Sequence, residues 1–221
     1  MRWTEQPIHF IDFEGSLGSG ILEYGVVTLQ HAKIIGTRTR LCRPSGAIRA
    51  EDVQIHGLSS ARLDGHRPFV DDWELFAELR ETGPLASHYA SAENTLLKAV
   101  WPYPRSSPDF TRPGESVVDW GPWIDSARIF GRLFPSFKSG KLELLVRACG
   151  LQEELDRCAA VLCPTDRRHY HAALYDAIAG AQLLLFLAAD ERLAALSVMQ
   201  LMALSILSPE KRDSLLQDEL F

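Results

Sequence analysis

The stretch IHFIDFEGS, Ile8 to Ser16, places two carboxylates inside an apolar run. A run of this kind reads as a buried strand, where an unpaired negative charge costs several kcal/mol or more. Side chains two positions apart share one strand face, so Asp12 and Glu14 project together. At the end of a central strand the pair makes a ready site for a hard divalent cation, which prefers oxygen ligands and keeps several waters. The same letters also fit a strand that ends at Asp12, with Glu14 in the turn.

Working outward, residues 8–12, 21–29 and 33–42 are rich in Ile, Val, Leu and Thr with glycine-containing breaks. They predict three consecutive strands in a meander. Helical spacing follows over 69–81, with Phe69, Trp73, Phe76 and Leu79 near one stripe. PLASHYA then reads as a strand and SAENTLLKAVW as a helix. Residues 102–115 hold four prolines and predict a loop, because proline removes a backbone donor and breaks both regular structures. SVVDW (116–120) is the candidate fifth strand. Helices are expected over about 122–134, 141–149, 152–160 and 172–189, with a last one to about 207. This order predicts an α/β fold, a mixed five-stranded sheet covered by helices. Residues 1–207 read as one domain, and 208–221 as a polar tail.

A formal net charge of −6 argues against a protein that coats nucleic acid through bulk charge. A carboxylate-lined active site is itself negative and needs only a local basic rim for one strand end. Arg38, Arg40, Arg43 and Arg49, with Arg167 and Arg168, are candidates for it, and solvated surface arginines are the plain alternative. The four cysteines, Cys42, Cys149, Cys158 and Cys163, form no CxxC pair, so neither a zinc ribbon nor a disulfide framework is indicated. The start MRWTEQP lacks an apolar core, and Asp190, Glu191 and Arg192 interrupt the richest apolar stretch. No membrane segment is expected, and a cytoplasmic protein is.

A second cluster lies in HYHAALYDAIAGAQLL. His171 precedes Asp176 by five positions, a rotation of about 500°, which does not set the two on one face of an ideal helix. His171 is therefore expected on the approach to the helix, with Asp176 in its early turns. An imidazole there suits a general base, since it titrates near neutrality. A local hydrogen bond from His171 and a helix-dipole role for Asp176 explain the same residues without catalysis.

Taken together, these segments resemble the DEDDh 3′ to 5′ exonucleases, a ribonuclease-H-like family that includes polymerase proofreading exonucleases, ribonuclease T and oligoribonuclease. FIDFEGS…ILEYGVV is similar to the family's first motif and HAALYDA to its H-x-x-x-x-D motif. VQIHGLSSARL (53–63) and GKLELLVRACGL (140–151) resemble two further segments, so the similarity runs from about residue 8 to 189. The resemblance implies two Mg²⁺ or Mn²⁺ ions shared by Asp12, Glu14 and Asp176, with His171 as base. It also implies that nucleoside 5′-monophosphates are removed from single-stranded DNA or RNA 3′ ends. Gly15, Ser16 and Leu17 of the glycine-rich turn, and His56, would contact the terminal nucleotide. A glycine-rich turn with no such role fits Gly15, Ser16 and Leu17 equally, for His56 a buried structural role is the alternative, and Tyr89 and Tyr170 fit base stacking or plain packing.

One position departs from the family pattern. The second motif carries aspartate where SHYASAENTLL has Glu93, and the extra methylene moves the oxygens by about 1.5 Å, enough to cost about a hundredfold in rate if uncorrected. Glu93 is expected as a metal ligand or as a group that orients one, with a solvated first-turn glutamate favoured by the helix dipole as the plain alternative. The competing expectation is a slow or silent relative that binds nucleic-acid ends or a clamp without cutting. Finally, QDELF at the terminus resembles the peptide with which bacterial proteins dock on the sliding clamp, with Gln217, Leu220 and Phe221 as its matching residues, and an idle amphipathic tail fits the same letters.

Overall fold

The computed structural model describes residues 1–206 apart from Pro113, together with Ser208 and Glu210. The three opening strands are β1 (Ile8–Ser16), β2 (Gly20–Gln30) and β3 (Lys33–Leu41), paired antiparallel in sequence order. The other edge of β1 takes β4 (Leu85–Ser87) in parallel. Two short strands, β5 (Ser107–Pro108) and β6 (Ser116–Val117), form a separate ribbon, and β7 (Ile124–Asp125) adds to β4 in parallel. The sheet order is β3-β2-β1-β4-β7, the mixed five-stranded sheet that the segment order predicts.

The fifth strand is not SVVDW. That segment pairs for two residues in the ribbon and then turns inward to bury Trp120, whose indole N–H donates to the Trp101 carbonyl at 2.7 Å. Asp119 is spent on Lys98, at 2.9 Å, and on the Gly121 N–H. The buried Arg80 guanidinium pins this proline-rich region by donating to the carbonyls of Pro108, Asp119 and Gly121. Ile124 and Asp125 take the sheet edge instead, too short a strand to leave a periodic signature.

The helices are α1 (Ala50–His56), α2 (Ser60–Leu63), α3 (Trp73–Thr82), α4 (Ala90–Val100), α5 (Ser126–Leu133), α6 (Leu142–Ala148), α7 (Gln152–Leu162), α8 (Ala173–Ala188), α9 (Glu191–Ala194) and α10 (Val198–Ser205). The first two were not anticipated as helices. The single terminal helix expected from the apolar run is divided, because Asp190 caps α9 and Ser197 caps α10 in a reciprocal capping box with Gln200. No helix of the described residues is long and apolar enough to cross a membrane.

Alternation along β1 splits the core in two. Ile11 and Phe13 join Tyr24, Val26, Phe69, Phe76, Leu97 and Trp101 on the α3–α4 side, where Phe13 meets Phe69 edge-on at 5.5 Å. Ile8 and Phe10 face α8, together with Val27 and Leu29 of β2. Helix α8 lies across β1 and β2 and is covered in turn by α6 and α7. It is apolar almost all round, as a helix enclosed on every side must be, and Asp176 is its one charged residue.

The approach of α8 to the sheet depends on Gly25. A Cβ at this position would sit inside the backbone of Ala173 and Leu174, which no rotamer change can clear. Gly25→Ala is therefore expected to destabilise the protein by about 1–3 kcal/mol. The measurement is a lower urea midpoint at unchanged slope.

Candidate active site

Strand β1 carries Asp12 and Glu14 to its carboxyl end on the α8 side of the sheet. Their cross-strand neighbours on β2 are Gly25 and Glu23 respectively. The parallel strand β4 ends at the same side and leads into α4, whose first turn holds the buried Glu93. From the α8 side comes Asp176, also buried, in the first turns of the helix. The crevice outside the carboxyl ends of strands is where α/β sheets place their ligands. His171 stands just before α8, exposed, with a left-handed backbone at φ 63°, and its backbone N–H donates to Asp176 Oδ2 at 2.9 Å. Each of Glu14, His171 and Asp176 offers one ligand atom, and these atoms lie within 4.8 Å of one another.

The carboxylates share one electrostatic environment. Burial, then repulsion from Glu93, Asp176, Glu14 and Glu23, pushes Asp12 well above the usual carboxylate range. Glu14 is raised likewise by burial and by Asp176 and Glu23, with Arg167 opposing. Burial raises Glu93 to about 8 against the stabilising Phe13 N–H, and Asp176 to about 7 against the His171 N–H. Glu93 Oε2 and Asp176 Oδ1 are enclosed and have no hydrogen-bond partner. Buried acceptors are nearly always satisfied, so two orphaned oxygens in one acidic cluster call for a cation. A set of carboxylate oxygens with one imidazole nitrogen at its rim fits Mg²⁺ or Mn²⁺ by donor chemistry.

Glu93, the departure from the family pattern, reaches this cluster: it is the foremost neighbouring charge on Asp12 and also feels Asp176. A residue not picked out from the sequence is Glu23. It is buried in β2, bound through both carboxylate oxygens to the equally buried Arg167 and accepting the Ala173 N–H at 3.1 Å. Its signal was present: Glu23 is a charge inside an apolar strand, the criterion that singles out Asp12 and Glu14.

The other candidates fall into place differently. Gly15 lies at the β1–β2 bulge with φ 138°, where a side chain would collide with the Gly20 carbonyl. Ser16 Oγ meets Ser19 Oγ at 3.1 Å, and Leu17 is 67% exposed. Ser16, Leu17, Gly18 and Arg49 line an open hollow of about 360 Å³. His56 is buried, its Nδ1 accepting the Leu58 N–H at 3.0 Å. Of the arginines proposed for a basic rim, Arg40 is spent on Asp72 and Arg167 is interior. Arg168 donates to the Ala160 and Cys163 carbonyls, Arg38 and Arg43 are exposed, and Arg49, though exposed, grips both Asp52 carboxylate oxygens at 2.8 and 3.0 Å. Tyr170 packs edge-on against Tyr175 at 5.1 Å, whereas Tyr89 is half exposed. The cysteines are all free thiols. Gln217, Leu220 and Phe221 lie outside the described residues.

No family model and no curated protein matches the chain. Among solved structures it is similar to exonuclease X in complex with 5′-overhanging duplex DNA, at 24% identity and a TM-score of 0.57, over 85% of this chain and 97% of that one. It is also similar to the nuclease domain of 3′hExo, a DEDDh family member bound to rAMP, at 18% identity and a TM-score of 0.55, over 86% of this chain and 95% of that one. A moderately thermophilic exonuclease I from Methylocaldum szegediense is similar at 15% identity and a TM-score of 0.61, over 86% of this chain and 42% of its own. The chain thus has the ribonuclease-H-like fold of the DEDDh 3′-exonucleases.

Proposed function

We propose that this protein is a divalent-metal-dependent 3′ to 5′ exonuclease that removes nucleoside 5′-monophosphates from single-stranded nucleic-acid ends. The observation that carries this reading is the meeting of Glu14, Asp176 and His171 within 4.8 Å, with Asp12 and Glu93 near enough to repel those carboxylates and with two buried carboxylate oxygens unpartnered. Asp12, Glu14, Asp176 and Glu93 would hold the ions. When bound, the metals supply Lewis-acid stabilisation of charge on the phosphodiester oxygens. His171, exposed at the rim, takes the proton of the attacking water. The turn Gly15–Leu17 offers the exposed Leu17 side chain to the terminal base, and the exposed Arg49 beside it, which pairs with Asp52, would have to share that pair with a phosphate. Solved structures of this fold include proteins bound to duplex DNA with a 5′ overhang and to rAMP, which supports a nucleic-acid end as substrate.

The silent alternative rested on Glu93 failing to reach the ions. Its place within the repelling carboxylates favours the enzyme. The test is a 5′-labelled single-stranded oligonucleotide, DNA and RNA in parallel, with Mg²⁺ or Mn²⁺. A ladder shortening one nucleotide at a time from the 3′ end, with 5′-monophosphates released, is expected. Binding without shortening under every ion would establish the silent module instead.

A further inference from the structure

We infer that the buried Glu23–Arg167 pair is a positioning device that sets His171 over the carboxylate cluster. The inference rests on the exonuclease reading for what His171 does, and on geometry alone for what the pair holds.

The Arg167 guanidinium distributes its donors in three directions. Nε and Nη2 grip the two Glu23 oxygens, Nη1 donates to the His56 carbonyl at 2.6 Å, and Nη2 also reaches the His171 carbonyl at 3.0 Å. Glu23 Oε2 accepts the Ala173 N–H in addition. One ion pair therefore holds the chain on both sides of Ala172, the carbonyl of residue 171 and the N–H of residue 173. This is the turn in which His171 takes its left-handed backbone, a conformation that persists only where the surroundings impose it. The imidazole itself is exposed, so the backbone must aim it. The planar fork of arginine suits such a task, whereas a lysine offers a single point of charge. The pair also ties the turn to rigid structure, to β2 through Glu23 and to the end of α1 through His56.

Buried ion pairs are weak stabilisers compared with well-packed neutral replacements, so a purely structural role predicts that neutralising both partners changes little. The test is the double variant Glu23→Gln/Arg167→Met, followed by Arg167→Lys in the same assays. Positioning predicts that kcat falls about thirtyfold to a hundredfold in the folded double variant while KM stays within about threefold. It also predicts that amide exchange across residues 168–173 accelerates at least about tenfold, with β1 and the body of α8 unchanged. Arg167→Lys is expected between the wild type and the double variant in both readouts, and carries the test if the double variant does not fold. Unchanged exchange across 168–173, or an unchanged kcat, overturns the inference. If the wild type shortens no strand under any ion, the exonuclease reading fails separately, and the exchange measurement still judges the pair.

Discussion

Asp12→Asn is expected to lower nucleotide release from a single-stranded 3′ end by about a thousandfold or more, since a lost metal ligand removes several kcal/mol of transition-state stabilisation. The same substitution is expected to stabilise the metal-free protein. Asp12 and Glu14 are held well above the carboxylate range, Asp176 near 7 and Glu93 near 8, all primarily by burial. In the unfolded chain these groups titrate near 4. The folded state therefore binds more protons than the unfolded state between about pH 4 and 8, and the stability of the metal-free protein falls as pH rises through that window. Removing one charge relieves the repulsion, so Asp12→Asn should melt above the wild type by about 3 °C or more at pH 8 in EDTA, with the gap closing toward pH 4. Mg²⁺ or Mn²⁺ should raise the wild-type melting temperature at pH 8, and the variant's much less. A wild type whose melting is indifferent to both ions, alongside an Asn variant with full activity, would remove the cation site.

His171→Ala is expected to reduce kcat by about a hundredfold to ten-thousandfold, the span typical of a lost general base. The ring is exposed but the backbone is left-handed, where alanine is disfavoured, so stability should fall by about 1 kcal/mol at most. KM and the affinity for Mn²⁺, read by calorimetry on the free protein, should stay near wild type, because the carboxylates remain. A large fall in Mn²⁺ affinity would instead make the imidazole a ligand, which its distance from Glu14 and Asp176 permits. Retention of full kcat would remove His171 from the chemistry altogether.

Much of this site was legible because charge in an apolar segment is conspicuous. Asp12 and Glu14 interrupt a strand, and Asp176 is the one charge of a helix otherwise apolar on every side. Glu93 was reached only through the family resemblance, since an acidic residue in a helix's first turn is ordinary by itself. Glu23 meets the same criterion as Asp12 but was not singled out, and its role shows only with its partner in place. That partner, Arg167, sits 144 residues away in a polar run that resembles a solvated surface. SVVDW misled for a different reason: β-propensity reports a pleated, half-buried fit, and burying Trp120 outweighed extending the strand.

Local rules sufficed for the meander of β1 to β3, the parity that turns Asp12 and Glu14 to one face, and the placing of His171 before a helix that begins near Asp176. These depend only on side-chain alternation, helical period and turn chemistry, which operate within a few residues. Tertiary structure alone decided that the acidic side chains of β1, α4 and α8 converge, that Gly25 admits α8 against β2, and that Arg167 is interior. Each of these results joins segments far apart in the chain, and the energy that joins them, burial against a shared core, is not expressed in any short window of sequence.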